Sequence, residues 1–144
     1  MAGLAITAGA FGAHGLDSYF VKKYGGTEPA AMKTIAGFEV PASWKYLEDF
    51  KTGARYQMYS AMGLIVVGLL SMRQRSRVLQ FAGWSFLLGI VGFSGSLYVL
   101  TIAGPKWLGI TWGLIAPIGG LLMIIAWVAL ATAACGCCVS TSES

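Results

Sequence analysis

The sequence predicts an all-α integral membrane protein, a four-helix bundle with a short amphipathic helix in its first loop. Residues 78–105 form a charge-free run of about 28 residues. A spanning helix needs only about 20 apolar residues at about 1.5 Å rise each. Over the 144-residue chain 56% of residues are hydrophobic and 11% charged, against about 25% charged in a soluble domain. A mean hydropathy of +0.69 agrees. The run also holds Gly89, Gly92, Ser94, Gly95, Ser96 and Tyr98 within three turns. Small and hydroxylated residues are wasted against lipid, but against a second helix they allow close approach and hydrogen bonding.

The first span covers residues 2–16, uncharged until Asp17. It would be about 24 Å long, short for a core of about 30 Å. It has no basic leader and does not read as a cleaved signal peptide. Ala5, Gly9 and Ala13, and likewise Ala8 and Gly12, recur every fourth residue as packing faces. The polar loop 17–53 follows, with turns at Gly25-Gly26 and Glu28-Pro29. Within it Ser43 is an N-cap candidate. Trp44, Leu47 and Phe50 face one side of a short helix, and Lys45 and Asp49 are one turn apart on the other. That helix either lies on the membrane surface or caps the bundle.

Arg55 opens the second span, 56–72, with Tyr56 and Tyr59 at interface level. Arg73, Arg75 and Arg77 make a tight basic loop to the third span, 79–103. Four spans put both termini on one side, and the arginine loop favours the inside; the lysines of the first loop vote the other way. The fourth span is 110–131. Gly109 and Gly113 are spaced as a GxxxG pair, and Gly119 and Gly120 follow Pro117. A mid-helix proline frees a carbonyl, which Ser94, Ser96 or Tyr98 would satisfy. Residues 1–134 form the membrane domain. Residues 135–144 form a flexible Cys/Ser tail.

Four motifs occur in order: Gly12-Ala13-His14-Gly15-Leu16, Thr52-Gly53-Ala54-Arg55-Tyr56-Gln57, Phe93-Ser94-Gly95-Ser96-Leu97-Tyr98, and Pro117-Ile118-Gly119-Gly120. Together they resemble the family catalogued as domain of unknown function 423, which includes the transmembrane protein 256-like proteins. The resemblance implies an integral protein of a bacterial inner membrane or of the mitochondrial inner membrane, and carries no activity. Ser60 stands where that family usually has a histidine, and segment 21–40 is longer than its usual first loop.

His14 is the only histidine. It would titrate near neutrality or sit hydrogen-bonded to Ser94, Ser96 or Tyr98. These four residues are the candidate polar site. The helix-packing set is Gly12, His14, Gly15, Gly92, Phe93, Ser94, Gly95, Ser96, Tyr98, Gly113, Pro117, Gly119 and Gly120. Cys135, Cys137 and Cys138 supply three thiols, where zinc wants four ligands. No nucleophile–base set, GxSxG, HExxH, GxGxxG or P-loop occurs, so neither an enzyme, a metal site nor a cofactor is expected. The net charge of +4 sits at helix ends and suits anionic headgroups, not nucleic acid.

The expected partners are the lipid bilayer and other membrane-protein subunits or further copies of the chain. The leading expectation is a packing or accessory role in assembly. The alternatives are a transporter or channel component formed by oligomerisation, with the polar site lining its path, and a thiol or metal protein acting through the cysteine tail. Gly92→Leu or Gly95→Leu is expected to harm folding more than Cys137→Ala.

Overall fold

In the computed structural model, residues 1–25, 32–73, 75–104 and 106–140 are described, with backbone alone for 13, 14, 110 and 136–140. The chain runs through helix α1 (Ala2–His14), α2 (Asp17–Tyr24), hairpin β1 (Met32–Ile35) and β2 (Phe38–Pro41), then α3 (Ala42–Arg73) and α4 (Arg77–Gly89). A π-helical segment, Ile90–Gly95, continues α4 into α5 (Ser96–Ile102). A second hairpin, β3 (Lys106–Trp107) and β4 (Ile110–Thr111), and a 3₁₀ turn (Trp112–Leu114) lead into α6 (Ile115–Ser140).

The molecule is mostly helical, but the two antiparallel hairpins correct the all-α expectation. Both turn on two residues with positive φ: Ala36 at 49° and Gly37 at 86°, Leu108 at 56° and Gly109 at 74°. Such turns match the twist of the flanking strands and usually carry Asn-Gly. An alanine and a leucine in the first position hid them from the sequence reading. Gly109 therefore lies in a hairpin and Gly113 in a 3₁₀ turn, so the two share no helix and form no GxxxG face.

The amphipathic stretch in the first loop is not a separate short helix. It is the opening of α3, which runs unbroken for 32 residues. Lys45–Asp49 and Lys51–Glu48 pairs line its polar side, and the charges from Lys51 to Arg55 interrupt the apolar pattern without interrupting the backbone. The helix of the first loop is instead α2. Asp17 opens it and Lys22 and Lys23 close it, as the helix dipole favours. Ser76 caps α4 by accepting from the Val78 amide at 3.2 Å.

Among the described residues, two helical stretches are long and apolar enough to cross a membrane, Arg77–Ile102 and Trp112–Cys135. The apolar part of α1, Ala2–Gly12, is shorter. In α3 the polar atoms of Tyr56, Gln57, Tyr59 and Ser60 dilute the apolar half. Pro117 falls in the first turn of α6. Amides there have no partner within the helix, so the expected freed carbonyl and kink do not arise. The backbone of α6 stays helical through Ser140, so Cys135 begins no loose tail. Residues 141–144 lie outside the described ones.

Two hydrophobic clusters hold the helices. One gathers Val67 of α3, Leu79, Ala82 and Phe86 of α4, and Ala126, Ala129, Leu130 and Ala133 of α6. The other lies at the opposite end of α3. It joins Phe20 of α2, Tyr46, Leu47 and Phe50 of α3, and Leu100 of α5, with Tyr24 and Tyr98 against them. Helix α1 packs antiparallel to the first half of α3: Gly12 faces the Phe50 ring, and Met1 lies beside Gln57.

Candidate functional site

Between the two clusters lies a belt of neutral polar side chains. The one helical face that α3 turns toward α5 presents Gln57 and Ser60, both buried. The π segment and α5 present Ser94, Ser96, Tyr98 and Thr101. The Tyr98 hydroxyl donates to Gln57 Oε1 at 2.9 Å, and Gln57 Nε2 donates to the Met1 carbonyl at 3.2 Å. Three helices are thus tied by two bonds, each worth about 0.6 kcal/mol between membrane helices. Ser96 Oγ donates back to the Phe93 carbonyl at 2.8 Å, and Thr101 Oγ1 bonds the Leu97 carbonyl at 2.9 Å. Ser94 Oγ is fully buried and has no partner among the described residues. It sits in the π segment, where the i→i+5 pattern already perturbs the backbone ladder.

The expected polar site is therefore split. Ser96 and Tyr98 are engaged inside the chain and Ser94 is sealed among helices. The side chain of His14 lies outside the described residues. The end of α1 nonetheless stands one ring from Tyr98, because Gly12 rests on Phe50 and the Phe50 and Tyr98 rings are 4.9 Å apart. Gln57 is the residue the sequence reading passed over as a site. A lone neutral amide amid an apolar helical stretch was the available signal.

The packing set fares unevenly. A Cβ on Gly119 would lie 2.1 Å from the Phe93 amide nitrogen, and one on Gly92 would lie 3.1 Å from Gly119 Cα. Here α6 crosses the π segment backbone to backbone. On Gly89 a Cβ would meet Met123 Cγ at 2.8 Å. Gly113 faces Leu100, Gly120 faces the Phe93 ring, and Gly15 only caps α1 above Phe11. A Cβ on Gly95 meets nothing nearer than the Ile90 carbonyl of its own helix, at 4.0 Å. Among the described residues Gly95 therefore faces no second helix, and Gly95→Leu has no packed neighbour to displace. Gly63, which the packing set omitted, lies under the wholly buried Phe86 ring.

Beside the seam a cleft of about 610 Å³ opens outward, walled by Thr52, Tyr56 and Tyr59 of α3, Phe93, and Leu121 and Trp127 of α6. Its size falls in the range of small-molecule sites, about 300–1,000 Å³. The Phe93 ring stands 5.1 Å from Tyr56, edge to face. Pro117 and Gly120 lie along its upper wall.

At the aromatic end, burial and then the neighbouring phenols Tyr46 and Tyr19 push Tyr24 up to about 12. Its hydroxyl donates to the Thr101 carbonyl at 2.8 Å. Lys33 donates to the Tyr46 hydroxyl at 2.8 Å, and Lys23 reaches the Ile102 carbonyl. These contacts hold α2 and the first hairpin over the end of α5. No three His, Cys, Asp or Glu side chains converge among the described residues. Cys135 is a free, exposed thiol, while the side chains of Cys137 and Cys138 lie outside the described residues. Among the described residues the belt ties helices together, and no base stands beside a nucleophile in it.

Comparison with known proteins agrees with this picture of a membrane chain without an assigned reaction. A family model described as a protein of unknown function (DUF423) matches residues 8–120. The chain is 38% identical over 130 residues to a UPF0382 membrane protein of Staphylococcus epidermidis, covering 90% of this chain and 84% of that one. It is 37% identical over 132 residues to the UPF0382 membrane protein YwdK of Bacillus subtilis, covering 91% and 86%. No solved structure matches.

Proposed function

This chain belongs to the DUF423 family, whose relatives above are named membrane proteins, and we propose that it is an accessory subunit that assembles with other membrane helices in a bacterial inner membrane. One face of α3 carries the reading. Lys51, Ala54 and Met58 line up on the side covered by Ala5 and Gly9 of α1. The same face continues, at three- and four-residue spacing, through Met62, Ile65, Leu69 and Met72, all exposed. Helix α1 is about 20 Å long and covers only the first half. The second half is an open lane one helix wide. From Arg55 to Arg73, α3 rises about 27 Å, which makes its second half a third crossing beside α4–α5 and α6. Helix α1 adds a fourth helix beside the first half of α3. The transport reading has less support, because Ser96 and Tyr98, two of the side chains assigned to a path, already bond within the chain.

The test is crosslinking in native membranes. A cysteine at Leu69, in a chain whose own cysteines are replaced by serine, should crosslink to a second polypeptide, either another copy or a different subunit. An exposed control position off this lane, such as Val78, should crosslink much less. A chain that stays monomeric in mild detergent and uncrosslinked at Leu69 would overturn the assembly role.

A further inference from the structure

We propose that the outer side of α3 at Arg55 and Tyr59 binds one anionic phospholipid, its headgroup on Arg55 and one acyl chain in the large cleft. Arg55 lies at the depth of a headgroup: Arg73, about 27 Å further along α3, marks the other boundary of a core about 30 Å thick. Arg55 is exposed, and among the described residues no carboxylate pairs with it. Lys51, one turn earlier, is within 3.1 Å of Glu48 and contributes less. Both cations line a cleft of about 350 Å³ against the small residues Ala5 and Gly9 of α1.

Tyr59 is a wall of this cleft and of the 610 Å³ cleft beside it. The larger cleft starts level with Thr52 and Pro117 and descends along α6 to Trp127. That descent is about 15 Å, parallel to the helix axes and hence to lipid chains. Its walls are mostly rings and apolar side chains, broken by Thr52 and Ser60, with Leu121 and Ile124 exposed at the mouth. A cation at headgroup height beside the upper end of an apolar slot along the membrane normal fits a two-part ligand, an anion joined to a hydrocarbon chain. A free anion would leave the slot unused, and a neutral lipid would leave Arg55 unpaired.

The purified chain in mild detergent would be loaded with dioleoyl-phosphatidylglycerol or dioleoyl-phosphatidylcholine, and retained lipid counted by native mass spectrometry. Wild type should retain the glycerol lipid about fivefold over the choline lipid, the ratio that one arginine near an anionic surface supplies at about 1 kcal/mol. Arg55→Gln should bring the ratio to about one, and Arg55→Lys should keep most of it. A Cβ at Gly120 would make an ordinary contact with the Phe93 ring, at 3.5 Å, and a leucine there would extend into the slot that Gly120 lines. Gly120→Leu should therefore lower retention of both lipids while keeping their ratio. Melting in lipid-free detergent checks that each variant is folded. Equal retention of the two lipids by wild type, a preference that survives Arg55→Gln, or retention unaffected in folded Gly120→Leu would each overturn the proposal. So would inorganic phosphate protecting the chain from melting as well as phosphatidylglycerol does.

Discussion

The two ends of α3 are built from opposite materials. At its start, Phe20, Tyr24, Tyr46, Phe50 and Tyr98 pack as large rings, with Tyr24 and Tyr46 centroids 4.2 Å apart. Lys23 lies over the Tyr24 ring and Lys33 over the Tyr46 ring. Along its second half, and where α6 crosses the π segment, contact is made by what is missing. Gly63 admits the Phe86 ring, and Gly119 admits the backbone of Phe93. The difference follows the solvent. Near water, burying a ring gains hydrophobic free energy, and its polar tip finds a partner. In hydrocarbon, burying apolar surface gains little, and close backbone approach supplies the attraction. The aromatic end should therefore tolerate change by degrees, whereas the seam should fail abruptly.

The strongest break is at Gly119. A leucine there would place carbon within 2.1 Å of the Phe93 nitrogen, a backbone atom that no rotamer change can move aside. Overpacking usually costs about 1–3 kcal/mol, and this position should exceed that range. Gly119→Leu should give no monodisperse folded protein in detergent, by gel filtration and circular dichroism. A variant melting within a few degrees of wild type would remove the seam from its place in the fold.

A smaller effect is expected at the bond joining the two materials. Tyr98→Phe keeps the ring on Phe50 but leaves Gln57 Oε1 without its donor. The cost should be about 1 kcal/mol, read as a lower melting temperature. Adding Gln57→Leu should recover only part of it, since it removes the stranded acceptor but also the bond to the Met1 carbonyl. Additive losses in the double variant would show the 2.9 Å bond to be energetically idle.

The seam was more legible in the sequence than the cap. The sequence reading takes glycines and serines in a charge-free run as a helix packed against protein, and Gly92 meets Gly119 backbone to backbone. It erred at Gly95 because it assumed one helical period throughout. The π segment makes a wider turn between Ile90 and Gly95, which rotates later residues off the face that Gly89 and Gly92 share. The cap was read as a loop with a surface helix. Its rings come from residues 20, 24, 46, 50 and 98, and no local pattern links positions so far apart. Nothing local marks Gln57 as a helix tie for a similar reason, since its partners are 41 and 56 residues away.

The cap should loosen gradually with alkali. Tyr24 is held up to about 12 against an ordinary 10, so the folded chain keeps a proton that the unfolded chain releases. The stabilisation is complete below pH 10 and is lost as pH rises through 12. Partial exposure of Tyr24 keeps the effect modest. Melting temperature against pH should fall more steeply between 10 and 12 in wild type than in Tyr24→Phe. Parallel curves would mean that Tyr24 ionises alike in both states.

The smallest expected effect divides the seam from its own neighbourhood. Gly92 and Gly95 are three residues apart in one π segment, yet a methyl group meets Gly119 Cα at 3.1 Å from the first and only its own helix at 4.0 Å from the second. At Gly95, alanine fills open space and restricts the unfolded chain, which favours the helix by up to about 1 kcal/mol. At Gly92 the same methyl presses on a backbone atom and should cost about 1 kcal/mol, toward the low end for overpacking. Gly95→Ala should therefore melt at or slightly above wild type, and Gly92→Ala below it, in the same detergent. If the two variants shift melting equally, the contact at Gly92 and Gly119 is no tighter than the lipid-facing surface, and the contrast between seam and cap reduces to composition.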